Sequence, residues 1–400
     1  MKTRDPNFIE KTKEYYLTDN IVLSAQDVIK IQYRLTLNCW YQYFKNHVEK
    51  IKTWIDFEQK IEEVLIALAH CVIDIEKANT YQEIRNYLNL KSKEEWKIKE
   101  KNFKILKFFE LWIDEEYVSF ATLEASFKSK RPNLNSIFCH GEDIKNGFNP
   151  ASFLAFIYRQ LDEFIEIFNL YINLIVDKLK TTNSLIIDSE NWQKPEKIFS
   201  FNYTNTYQRI HDNVAVDFLH GSSGENQNIV LGVSDLKDES LKTLKAYGFT
   251  KYHQKLFKDT QYLFLDKFKK KIQQDKKDIE ELKRKVMMPL QPVFVKSFQS
   301  QLNEKMNSQC LDLNFYIWGH SLDYSDKDYI LDLFSLNDDM DRNVSVIVYY
   351  FDQNAKFALL NNLLAILEKD KVEQWMKNKW LQFKPNPEIK FNEMISEKTA

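Results

Sequence analysis

The chain has 400 residues, 44% of them hydrophobic, with 29 Phe, 20 Tyr and a formal net charge of -2. That length sustains one large core or two modest ones, its apolar content excludes intrinsic disorder, and its near-neutral balance argues against general nucleic-acid affinity. Cys39, Cys71, Cys139 and Cys310 show no paired spacing, no apolar run approaches the roughly 20 residues of a membrane span, and the charged start is not a signal peptide, so a cytoplasmic protein without a membrane partner is expected.

Residues 1–23 read as an N-terminal extension, and 24–180 as helix after helix. Ser24-Ala25-Gln26-Asp27 has a capping-box pattern that predicts a helix through about Lys50. From Trp54 to Lys77, the apolar residues Ile55, Val64, Leu65, Leu68, Val72 and Ile75 form a helical stripe. The centre of that segment is apolar nearly all round, which predicts a buried helix. Two polar helices are expected around Tyr81–Leu90 and Glu94–Trp112. Asn149-Pro150 supplies an N-cap and a first-turn proline to a long amphipathic helix ending near Lys180.

After Lys180 the period changes. Ser184–Asp188, Lys197–Phe201, Val214–Leu219, Asn228–Val233, Asn314–Trp318 and Val344–Phe351 are short apolar runs bounded by turn residues, as buried parallel strands are. Helical patterns between several of them predict an α/β fold. Its mostly parallel sheet is built from about 184–355, and the helical part packs beside it. A charged helix from Tyr252 to Val286 and another from Pro292 form an insertion at about 250–308 within the α/β region 181–400. Were a first strand missing from the sheet, an open edge would be expected beside Val344–Phe351 or Lys197–Phe201.

Seven glycines are few for this length, and none precedes Gly141. Gly221, Gly232 and Gly319 each end a candidate strand, which points to strand ends as the place for a ligand. Three segments there carry chemistry. In Ser200-Phe201-Asn202-Tyr203-Thr204-Asn205-Thr206, the amides and hydroxyls suit a sugar or phosphate, or they cap a helix at Tyr207–Asp212. His220-Gly221 offers a general base beside a backbone open to close approach, or a structural histidine. In Gly319-His320-Ser321-Leu322-Asp323, backbone N–H groups can meet phosphates, or Ser321 and Asp323 cap the helix around Asp328–Phe334. No metal site is expected. Asp323, Asp326 and Asp328 lack the glycine and distal glutamate of a calcium loop, and Cys139-His140-Gly141 lacks a partner at ligand spacing. The Lys-rich stretch 269–285 alternates with acids, as a solvated helix face does.

Taken together in this order, Ser-Phe-Asn-Tyr-Thr-Asn-Thr (200–206), His-Gly (220–221), Ile-Val-Leu-Gly (229–232) and Tyr-Ile-Trp-Gly-His-Ser-Leu-Asp (316–323) resemble the AbiH family of bacterial abortive-infection proteins. Trp54-Ile55-Asp56-Phe57-Glu58 and Tyr349-Tyr350-Phe351-Asp352 look similar too, so the likeness runs from about residue 30 to 390. The family is similar to the sirtuin-like, Rossmann-type NAD-binding fold. The resemblance therefore implies phage defence, with binding and hydrolysis of NAD as its chemistry. It implies Asn202 and His220 as catalytic residues, and Thr204, Asn205, Gly221, Gly319, His320, Ser321 and Asp323 around the cofactor. The implied partners are a nucleotide ligand, a phage-derived trigger and a second copy of the chain. The departure is at the start. Family members open with a hydrophobic strand and a Gly-Asn-Gly-Phe-Asp turn, whereas this sequence opens Met1-Lys2-Thr3-Arg4-Asp5-Pro6. Either that segment lies upstream or the site has lost one wall. The latter favours a non-catalytic nucleotide-sensing or interaction module, with a nucleic-acid effector on the lysine-rich helix as a third reading.

Overall fold

The computed structural model describes residues 16–17, 21–51, 56–76, 98–122, 125–181, 183–188, 194–210, 214–260, 263–289, 291–338 and 342–393. The chain divides into two units. The first takes 1–182, 202–207 and 220–260, and the second 183–201, 208–219 and 261–400. Each has its own hydrophobic core.

The helix expected from Ser24 to Lys50 is two helices, α1 (Ala25–Leu37) and α2 (Cys39–Ile51). The capping box forms: Ser24 Oγ accepts from Asp27 N at 3.0 Å, and Asp27 accepts from Ser24 N at 3.3 Å. Asn38 breaks the run because its side chain serves other backbone. Its Oδ1 accepts from Tyr41 N at 2.8 Å, starting α2, while its Nδ2 donates to Gln160 O at 2.7 Å. Helix α3 (Phe57–Glu76) buries Ile61, Val64, Leu65, Leu68, Val72 and Ile75, the apolar stripe of its sequence. Trp54, Ile55 and the helix expected at Tyr81–Leu90 lie outside the described residues.

The helix expected at Glu94–Trp112 forms over the middle of that span, with residues 94–97 outside the described ones. Helix α4 spans Glu100–Lys107, and the chain then enters an antiparallel hairpin of β1 (Trp112–Thr122) and β2 (Ala125–Leu134), registered from Trp112 opposite Leu134 to Thr122 opposite Ala125. The sequence does not predict this hairpin, because its polar strands carry little period-2 signal. Asn149 caps α5 (Pro150–Leu174) by accepting from Ser152 N at 3.1 Å, with Pro150 in the first turn. The helix ends at Leu174 rather than Lys180. Phe153, Ile157, Leu161, Phe164 and Ile165 face the core, where Trp40 donates from Nε1 to Ile157 O at 2.8 Å and meets Phe109 edge-on. Tyr16–Leu17 pairs antiparallel with Lys180–Thr181.

Among the described residues of the second unit, the strands form three small sheets and not the single mostly parallel sheet expected. Strand β3 (Asn183–Asp188) pairs antiparallel with β9 (Glu388–Glu393). Strands β4 (Lys197–Ser200) and β5 (Ala215–Phe218) make a parallel pair. Strands β6 (Leu313–Ile317), β7 (Val344–Tyr350) and β8 (Leu381–Pro385) make a parallel trio with β7 in the middle. No open edge therefore lies beside β7, and its apolar run is the sign of flanking on both sides: Val344, Val346 and Val348 are fully buried with Phe334, Leu363 and Trp375. The arrangement is mixed α/β with small parallel sheets.

Three short helices, α6 (Thr206–Ile210), α7 (Glu239–Thr243) and α8 (Lys251–Phe257), precede α9 (Asp266–Met287), α10 (Pro292–Asn307), α11 (Lys327–Phe334) and α12 (Gln353–Lys377). The helix expected from Tyr252 to Val286 is thus interrupted, with Asp259 and Leu265 in left-handed backbone between its two parts.

Candidate functional site

The fourth expected strand, Asn228–Val233, is buried but unpaired as a strand. Ile229, Val230 and Leu231 are at most 5% exposed. Buried backbone must find partners, and here side chains and the His220 carbonyl stand in for a neighbouring strand. Ile229 N donates to Gln227 Oε1 at 3.0 Å, and Ile229 O accepts from Lys258 Nζ at 3.0 Å. Val230 N donates to His220 O at 2.9 Å, and Val230 O accepts from Tyr203 Oη at 3.2 Å. Gln254 takes both groups of Leu231, accepting from its N at 3.0 Å and donating to its O at 2.9 Å. Asn228 O accepts from Thr260 Oγ1 at 2.9 Å. An apolar run reads alike whether its ladder partners are strands or side chains.

This lacing joins two of the sequence-predicted segments inside the first unit. Tyr203, between Asn202 and Thr204, binds Val230 through its hydroxyl, and its carbonyl accepts from Ser223 N at 3.0 Å and Ser223 Oγ at 3.1 Å. His220 reaches the same Val230 through its carbonyl. The 202–206 and 220–232 segments are therefore neighbours. Asn202 and Asn205 are exposed, Thr204 and Thr206 share a 2.8 Å hydroxyl bond, and His220 is 5% exposed. Helix α5 steadies the loop: Asn169 clamps the Gly224 peptide, accepting from its N at 3.0 Å and donating to its O at 3.1 Å.

Gly221 does not leave its backbone open to a ligand, as the sequence suggested. At φ +80°, a Cβ there would lie 2.0 Å from Asn228 O. The close approach is that of the chain's own loop, sealed by Ser222 N donating to Asn228 Oδ1 at 2.9 Å.

The Gly319–Asp323 segment belongs to the second unit. Gly319 has φ +69° with open space where a Cβ would be. His320 is fastened by both ring nitrogens. Nδ1 accepts from Leu322 N at 2.9 Å, which places the ring proton on Nε2, 3.3 Å from the buried Asp326 carboxylate. The Phe201 ring lies 4.1 Å from the His320 ring, centroid to centroid. Asp323 caps the turn at Tyr324–Asp326 by accepting from Ser325 N at 2.9 Å, and Ser321 O accepts from Asn362 Nδ2 at 2.8 Å. The capping explanation thus accounts for Asp323, and in this conformation His320 has no ring nitrogen free for a ligand.

Sequence reading missed the residues that hold these segments: Tyr203, Asn169, Gln254, Lys258 and Asp326. Asn169 carried a signal, being a polar residue on the buried face of an amphipathic helix. A groove between α9 and α10, lined by Asp278, Glu281, Lys285, Gln301, Glu304 and Lys305, contains none of the predicted site residues. Neither does the depression at Ser136 and Glu142–Lys145. Cys139 and His140 lie in a loop closed by His140 N on Gly147 O at 3.0 Å. Among the described residues no helix is long and apolar enough to cross a membrane.

No curated protein and no solved structure matches the chain. One family model does, over residues 155–350, a stretch that includes the 202–206, 220–232 and 319–323 segments. That family is described as bacteriophage abortive infection AbiH, and this part of the chain is AbiH-like.

Proposed function

We propose that the chain acts in phage defence by abortive infection, through hydrolysis of NAD. The observation that carries this reading is that the AbiH-like stretch includes the Asn202 and His220 segments, which fold into one laced loop cluster in the first unit. The exposed amides of Asn202 and Asn205, with the hydroxyls of Thr204 and Thr206, form a set able to hold ribose hydroxyls. In the proposed step, water attacks the ribose anomeric carbon and the ribose–nicotinamide bond breaks. Nicotinamide leaves with the bonding pair, and His220 takes the proton of the attacking water. The products are ADP-ribose and nicotinamide.

A second reading is a nucleotide-sensing or interaction module without catalysis. It is favoured by the burial of His220, since a base must be reachable by the water it activates. Nicotinamide release from NAD by the purified chain, with and without phage infection of the cells it is drawn from, separates the two. Catalysis predicts release that falls at least 100-fold in His220→Ala and Asn202→Ala, as loss of a general base does. No release, together with phage protection that survives both substitutions in a folded protein, leaves the binding module.

A further inference from the structure

Helices α9 and α10 form a hairpin whose far end carries no core. Beyond Ile279 no residue of α9 is buried, and Leu302 is the buried residue of α10. Such an extension does little for stability, and a chain under no other demand would finish it with polar residues. It does the opposite. Met287 is 85% exposed, Met288 51%, Val293 74% and Phe294 53%, on either side of the exposed prolines Pro289 and Pro292. Around this apolar tip the sequence from Lys283 to Lys296 carries four cations (Lys283, Arg284, Lys285 and Lys296) and no carboxylate. Lys283, Arg284 and Lys296 are exposed, and Lys285 is held by Glu281 at 2.6 Å and lies over the Phe298 ring. The acids of the hairpin, Asp266, Asp275, Asp278, Glu280, Glu281 and Glu304, lie along its shaft, where lysines nearly balance them, so the large excess of cations is at the tip.

An apolar point ringed by cations complements one kind of surface, in which negative charge lies above hydrocarbon. We propose that the 283–296 tip docks on the anionic headgroups of a lipid bilayer, with Met287, Met288, Val293 and Phe294 entering the boundary layer and the cations meeting the lipid phosphates. The chain then lies on a membrane without spanning one. Insertion and charge are both required, because either signal alone gives weak, reversible binding. A nucleic acid would use the cations but leave the aliphatic tip without purpose. This inference is independent of any NAD chemistry.

The test is co-sedimentation of the full chain with phosphatidylcholine vesicles, with and without phosphatidylglycerol. Binding is expected to the anionic vesicles, to weaken as salt is raised, and to be at least tenfold weaker on neutral ones. The Met287→Asp/Phe294→Asp variant replaces exposed side chains, so it should unfold at the wild-type temperature yet bind anionic vesicles at least tenfold more weakly. Lys283→Glu/Arg284→Glu should lose binding to a similar degree. A wild-type chain that stays in the supernatant, a Met287→Asp/Phe294→Asp variant that binds as well as wild type, or binding of single-stranded RNA with none of vesicles overturns the proposal.

Discussion

Gly221 and Asn228 touch backbone to backbone, with the Asn228 carbonyl oxygen occupying the place of a Gly221 side chain, 2.0 Å from where a Cβ would sit. The turn after β5 exists because residue 221 has no side chain and tolerates φ +80°. Gly221→Ala meets both obstacles and should cost about 3 kcal/mol or more in denaturant unfolding. Gly319→Ala meets open space and carries the backbone penalty alone, about 1 kcal/mol. Equal losses in the two variants would mean that the loop moves aside and that the contact does not define it.

Gln254 holds three backbone groups, Leu231 N, Leu231 O and Gly248 O, and is 1% exposed. Gln254→Leu fills the space but leaves those groups unsatisfied, at about 1–3 kcal/mol for each buried group before relaxation. A loss of about 3 kcal/mol in unfolding free energy is expected, with Gln254→Glu recovering less than half because it cannot donate. A neutral Gln254→Leu would show that water takes over the bonds.

Lys251 and Glu58 form an ion pair at 2.5 Å, with Lys251 4% exposed and the Glu58 side chain 22% exposed. Removing Lys251 takes the cation from a half-buried carboxylate, so Lys251→Met should cost about 1–3 kcal/mol. The Lys251→Met/Glu58→Leu double variant should regain more than half of that, measured in one thermodynamic cycle. Additive losses would show that the pair is not coupled.

Glu63 sets an acid limit on the first unit. Burial works to raise its carboxyl, but hydrogen bonds from Lys101, Lys60 and Tyr43 outweigh it and hold the group at about 2 against an ordinary 4.5. Its folded pKa is depressed, so its contribution is present above about pH 4.5 and is lost as pH falls toward 2. Glu63→Gln should flatten the fall in stability over that window while lowering stability at pH 7. An unchanged acid profile in the variant would remove Glu63 from the account.

Burial pushes the Cys39 thiol up to about 12 and the Cys139 thiol to about 11, and Cys71 is also buried. Cys310 is exposed. An aromatic disulfide reagent at neutral pH should titrate one thiol in the native chain and four after unfolding. Two fast thiols would show that the first unit opens.

Local rules were legible in the sequence because their physics is local. The Ser24–Asp27 capping box, the Asn149-Pro150 helix start, the stripe of α3 and the apolar run of β7 each satisfy neighbours within a few residues or face a single surface. The order of segments from Asn202 to Asp323 was enough to resemble AbiH, and the 155–350 match agrees. Tertiary structure decided what a run of apolar residues pairs with. Val344–Tyr350 found strands on both sides, whereas Ile229–Leu231 found Gln227, His220, Tyr203, Lys258 and Gln254. It also decided that Gly221 admits Asn228, and that His320 spends both nitrogens on Leu322 and Asp326. The physical reason is common to all three. A sequence displays the donors, acceptors and free space each residue offers, but a buried group is satisfied by whichever partner the fold brings within about 3 Å, and that partner can stand anywhere along the chain.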